Sequence, residues 1–167
     1  MFPMATNNRC CAGMTQFMDE VCTEDAVGVR LIKSLGGVPV CITNVPQTCM
    51  SHQCSNPVFG ATGNPHNPSK EAGGSSGGTS ALVGGGGAVL GLGNDLGGSL
   101  RNPAALCGVY SLKPTHGRHL SVKGLQDPLC PNPKLPVVSG FIAGTFMNGT
   151  PIIPCLPFYF ISVYYLQ

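Results

Sequence analysis

Adjacent serines, Ser75 and Ser76, lie between Gly73-Gly74 and Gly77-Gly78, and a third serine, Ser99, directly follows Gly97-Gly98 in "DLGGS". Serine after paired glycines is a pattern with chemical content. Glycine lets the backbone turn its N–H groups toward one point and approach a substrate carbonyl closely. Leu96, Gly97, Gly98 and Ser99 could then surround a developing oxyanion with N–H donors, with the Ser99 hydroxyl beside them as a nucleophile. Asp95 and Arg101 flank the turn, where charge-assisted hydrogen bonds could hold it. From the residues alone, the same turn reads equally well as a purely structural one.

Other chemistries fit less well. Gly73, four residues, Gly78, Thr79 and Ser80 stand one residue from a phosphate loop, but Thr79 replaces the lysine that would hold the outer phosphates. Gly91-x-Gly93 is followed by Leu96 where a dinucleotide fingerprint needs glycine. The segment "ALVGGGGAVLGLG" is too apolar for a solvated linker. His116 and His119 are three apart, and His52 is two from Cys54, but neither spacing is a recurrent zinc pattern, so no metal is expected.

The elements that must position these serines alternate between helix and strand. "EDAVGVRLIKSLGG" predicts a helix with Glu24 and Asp25 in its first turn, Ala26, Val29 and Ile32 on one face, and Gly36-Gly37 as its stop. "VPVCIT", residues 38–43, predicts a short buried strand. Residues 44–71 read as one long functional loop. A short helix over 79–83, a second buried strand in "AVLGLG", a tight turn, a short helix ending at Cys107 and a third strand in "GVYSLKP" follow. The two last strands are expected to be neighbours in one sheet, and the whole to be an α/β layer architecture.

Composition bounds the function. The chain has 167 residues, 43% of them apolar but only 10% charged, against roughly 25% charged in average soluble domains. Much of it is therefore expected to be buried. A net charge of +2 suggests neither nucleic acid nor an anionic membrane as partner. Nine cysteines without a C-x-x-C pair, behind a start lacking an apolar signal core, point to reduced thiols and an intracellular, cytoplasmic or membrane-associated setting. Asn148-Gly149-Thr150 then reads as a chance glycosylation triplet. The apolar run after Pro157 is ten residues, too short for a membrane-spanning helix.

"GGSSGG…GLGNDLGGSLRNPAALCGVYSLKPT" resembles the glycine- and serine-rich core of the amidase signature family. The upstream "GGVPVCITNVPQ" and "SNPVFG" resemble its fatty acid amide hydrolase branch. The resemblance runs from about Ala26 to Asp127, and the 24-residue spacing of Ser75 and Ser99 matches that family's two serines. It implies a mixed β-sheet covered by helices, of which this chain is a part, and a Ser–Ser–Lys hydrolase needing no metal or cofactor. Ser99 matches the nucleophile that forms an acyl-enzyme. Ser75 matches the bridging serine, after a cis bond from Gly74. Ser76, Asp95 and Arg101 match positions that brace the site. Leu96, Gly97, Gly98 and Ser99 match the oxyanion-hole backbone, and Cys49 matches a substrate contact through its backbone.

The family's lysine would fall at or just before Met1. Lys33 lies in the first helix and Lys70 in the loop, so neither matches it. The expectation is therefore a truncated chain lacking its base. It divides into an unassigned segment (1–23), an amidase-signature core (24–127) and a proline-rich, apolar tail (128–167) lying apart from the core. The substrate implied is a fatty acid amide. The alternatives are a general small-amide amidase and an inactive fragment. Any membrane association is expected to come through elements outside this chain.

Overall fold

A computed structural model of the chain describes residues 9, 11–115, 137–144 and 162–166. In chain order it forms α1 (Val27–Ser34), β1 (Val38–Thr43), the short ribbons β2–β3 (Ser55–Asn56 and Gly60–Ala61) and β4–β5 (Gly63–Asn64 and Asn67–Glu71), α2 (Gly77–Gly84), β6 (Leu90–Asp95), α3 (Arg101–Cys107), β7 (Tyr110–Leu112), β8 (Val138–Ala143) and β9 (Ser162–Leu166). Five strands make one mixed sheet in the order β1-β9-β6-β8-β7. β9 is parallel to β1 and β6, while β8 is antiparallel to β6 and β7. This is the expected α/β class. His116, His119 and the triplet at 148–150 lie outside the described residues.

β6 organises the sheet, because its alternation serves two different faces. Leu90 and Leu92 join Val29 and Ile32 of α1 in one buried cluster. Gly91 takes the other face, where α2 lies so close that a methyl group there would collide with the Thr79 side chain. From α2, Val83 joins Val45, Leu100 and Ile142 in a second cluster. Thus α1 covers one side of β6, and α2 lies against the other. Asp95, two further alternations from Gly91, ends the strand on the α2 side.

α1 uses the expected face but starts later than expected. Glu24 and Asp25 precede it, and Asp25 instead braces its exposed side by accepting Lys33 Nζ at 2.7 Å and, through its carbonyl, Arg30 Nη1 at 2.9 Å. β1 has the expected bounds but is not buried. It lies at the edge of the described sheet, and Val38 and Val40 are exposed. The loop over 44–71 contains the two ribbons rather than being irregular throughout. Asn56 folds the first: its Oδ1 accepts the Val58 and Phe59 N–H groups at 2.9 and 2.8 Å, and its Nδ2 donates to the Val45 carbonyl at 2.7 Å.

Two expectations about topology are corrected. β6 and β7 are not neighbours, because β8 lies between them, pairing Leu92 with Phe141 and Phe141 with Leu112. A helix is about 10 Å across, roughly two strand spacings, so the α3 crossover leaves room for an intervening strand. The residues past 128 are also not wholly apart from the core. Val138 and Ile142 are buried, with half-buried residues alternating between them. Val138–Ala143 should therefore exchange amide hydrogens as slowly as Leu90–Asp95, measured by mass spectrometry. Ile142→Ala should lower stability by about 2–4 kcal/mol in urea titration, by transfer loss plus cavity.

Candidate active site

The segment at 73–78 turns where its neighbours leave no room for side chains. Gly73 has φ +81°, in the region only glycine adopts freely. The Gly74–Ser75 peptide bond is cis, as the resemblance implies. A methyl group on Gly74 would stand 2.6 Å from the Ser51 carbonyl oxygen. The Gly78 N–H donates to the Asn44 carbonyl at 3.1 Å, and a methyl group there would collide with the Asn44 backbone. The loop after β1 is thus seated directly on this segment. α2 then starts at Gly77, two residues before the predicted start, and is buried almost all round, which removes any amphipathic signal from its sequence.

The second serine turn is built on Asp95. Its carboxylate is fully buried and collects four donors. Arg101 binds it bidentately, with Nε on Oδ2 and Nη2 on Oδ1, both at 2.9 Å. The N–H groups of Gly98 and Leu100 reach it at 2.8 and 3.1 Å. Burial alone would push the Asp95 carboxyl up. The Arg101 guanidinium and the two N–H groups outweigh it and hold the carboxyl below its ordinary range. The turn 96–100 is thereby closed, and α3 begins at Arg101.

This arrangement divides the four residues matched to an oxyanion hole. The Gly98 N–H is committed to Asp95. Among the described residues, no hydrogen bond engages the N–H groups of Leu96, Gly97 or Ser99.

The two serine segments meet through the backbone. The Ser76 N–H donates to the Ser99 carbonyl at 3.0 Å, and Ser76 Oγ donates to the Asn94 carbonyl at 3.4 Å. Asn102 adds a third tie by accepting the Gly74 N–H on Oδ1 at 3.3 Å. Ser75 and Ser99 are both buried. No hydrogen bond joins their hydroxyls directly among the described residues.

Cys49 packs against the cluster containing Leu100, next to Ser99 in sequence. Thr48 and Cys49 have φ of +61° and +59°. For a β-branched threonine this is a genuine outlier, and such strain concentrates at functional sites. Nothing in the sequence announced it, since no glycine stands there. Sequence reasoning also missed His52 and Asn102 as neighbours of the site. Among the described residues there is no cluster of three His, Cys, Asp or Glu side chains. Burial pushes the Cys54 thiol up, and it points to the Asn44 carbonyl at 3.3 Å.

A family profile described as Amidase matches residues 5–146. The chain belongs to the amidase family. The match exceeds the 24–127 core at both ends and takes in β8. Fatty-acid amide hydrolase 1 of Sus scrofa is 53% identical over 102 residues, covering 61% of this chain and 17% of that protein. Vitamin D3 hydroxylase-associated protein of Gallus gallus is 48% identical over 118 residues, covering 71% of this chain and 25% of that protein. The solved structure of 6-aminohexanoate cyclic dimer hydrolase with its substrate superimposes with a TM-score of 0.80 at 28% identity, over 85% of this chain and 30% of that one. The chain therefore holds the fold of part of an amidase domain and spans a quarter or less of these two relatives' length. Among the described residues, no helix is long and apolar enough to cross a membrane.

Two outcomes test the turn. Asp95→Ala should cost on the order of 2–4 kcal/mol, because it strands the N–H groups of Gly98 and Leu100. The folded carboxyl is held below its ordinary value of 3.8, so the unfolded chain binds its proton first as pH falls. The stability Asp95 supplies should be intact above about pH 5 and drain away below about pH 4. Urea midpoints from pH 6 to pH 3 should fall more steeply for the native chain than for Asp95→Asn.

Proposed function

We propose that this chain is the serine-bearing segment of a hydrolase that cleaves fatty acid amides through an acyl-enzyme on Ser99. The observation supporting it most directly is the Ser76 N–H on the Ser99 carbonyl at 3.0 Å. It joins two glycine–serine turns 24 residues apart beside a set of unengaged backbone donors.

In this reading, Ser99 Oγ bonds to the amide carbonyl carbon and the carbonyl π pair moves onto oxygen. The N–H groups of Leu96, Gly97 and Ser99 stabilise that oxyanion. The Ser99 proton passes through the Ser75 hydroxyl to a base and on to the leaving amine as the carbon–nitrogen bond breaks. Water then releases the acyl group as a carboxylic acid. Ser76, Asp95 and Arg101 hold the two turns, and the backbone at Cys49 meets the substrate.

No base is positioned at Ser75 among the described residues. Among the described residues, Lys33 is bonded to Asp25 at 2.7 Å, Lys70 lies on the exposed β5, and no lysine is hydrogen-bonded to Ser75. A positioned base contributes about 10² to 10⁴-fold, so this chain by itself should be a slow hydrolase. The fatty acyl preference rests on the 53% identity to a fatty-acid amide hydrolase. The likeness to a cyclic dimer hydrolase keeps a small-amide substrate as the second reading.

A fluorophosphonate probe tests the nucleophile. This chain should label weakly, and a protein extended to the length of its relatives with a lysine in the family position should label strongly. Ser99→Ala should abolish labelling in that protein, and Ser75→Ala should slow it. Labelling that survives Ser99→Ala would assign the nucleophile elsewhere. Competition by a long-chain acyl amide against a short one separates the two substrate readings.

A further inference from the structure

His52 lies where both serine turns converge. Its main chain is seated on the first: a methyl group on Gly74 would stand 3.2 Å from His52 Cα and 3.0 Å from its carbonyl carbon. Its ring reaches the second: a methyl group on Gly98 would stand 3.7 Å from His52 Nε2. The ring is solvent-exposed and makes no hydrogen bond among the described residues. It follows the left-handed pair Thr48 and Cys49 by three residues, and that pair fixes how the loop arrives.

The ring faces the residue whose own donor is withdrawn. The Gly98 N–H is turned to Asp95 at 2.8 Å, so a substrate oxygen before this turn lacks one of the four backbone donors that the spacing promised. We propose that His52 Nε2–H supplies a side-chain hydrogen bond at this face, to the oxygen that becomes negative when a serine adds to an amide carbonyl. The inference rests on the acyl-enzyme reading of Ser99. His52 keeps its proton throughout. The proton lost by Ser99 leaves with the amine, and the imidazole only donates a hydrogen bond to the oxyanion in the tetrahedral stage. Zinc binding with Cys54 is disfavoured by the geometry, since that thiol is buried and directed at the Asn44 carbonyl.

The test compares His52→Phe and His52→Gln with the native residue, in this chain and in the extended protein, by the rate of Ser99-dependent fluorophosphonate labelling. Urea midpoints are measured alongside. His52→Phe should slow labelling by about 10²-fold, the lower end for loss of one oxyanion donor, at an unchanged midpoint. His52→Gln, whose amide N–H can reach a similar position, should recover at least part of the rate. Labelling of His52→Phe at the native rate overturns the proposal. So does His52→Gln as slow as His52→Phe at an unchanged midpoint. Should His52→Phe unfold, the native protein still decides: its Nε2–H nitrogen–proton NMR signal should move on phosphonylation of Ser99, and a signal that stays put overturns the donor role. Absence of any Ser99-dependent labelling in the extended protein would instead overturn the acyl-enzyme reading, and this inference with it.

Discussion

A buried carboxylate can persist only where enough donors replace its lost water. Asp95 meets that condition with four hydrogen bonds, two from Arg101 and one each from the Gly98 and Leu100 N–H groups. Much of the candidate site follows from this. The N–H groups converge on the carboxylate only if residues 96–100 curl around it. That curl ends β6, carries Ser99 and starts α3 at Arg101. The Ser99 carbonyl is then presented to Ser76, and the two serine turns are fixed to each other.

The same interaction imposes a cost on the chemistry. A donor that braces the turn is not free to meet a ligand, so Gly98 cannot serve both Asp95 and a substrate oxygen at full strength. In the proposed reading, the turn gains rigidity and gives up one of its oxyanion donors. Preorganised donors are effective because they need no rearrangement during reaction. Fixing three by committing a fourth fits that logic, and the His52 ring stands over the committed residue.

The close approaches at three glycines share this economy of space. Gly78 is pressed against Asn44, Gly74 against Ser51 and Gly91 against Thr79. Each absent side chain lets one element approach another more closely than ordinary residues allow. Together they pack the loop after β1 on the serine segment, and α2 on β6. The exposed Val38 and Val40 of β1 and the exposed Tyr110 and Leu112 of β7 lie at the two ends of the described sheet. Apolar strands at both ends accord with a segment of a larger family domain.

Local chemistry determined the local elements. The periodic spacing of Ala26, Val29 and Ile32 set the buried face of α1, and Pro103 marked the first turn of α3. The serine–glycine segments were legible as turns because paired glycines adopt backbone that other residues resist, while their chemistry was implied by the resemblance. Tertiary structure decided what depends on distant partners. β8 carries alternating burial in "VSGFIA", but six residues cannot reveal that they slot between β6 and β7, because strand order depends on how α3 crosses the sheet. β1 has a fully apolar look and lies at an edge, since burial is set by neighbours rather than by the strand itself. The commitment of the Gly98 N–H to Asp95 and the reach of His52 across two turns were equally unreadable. Both are angles and distances between segments that the sequence separates and only the folded chain brings together.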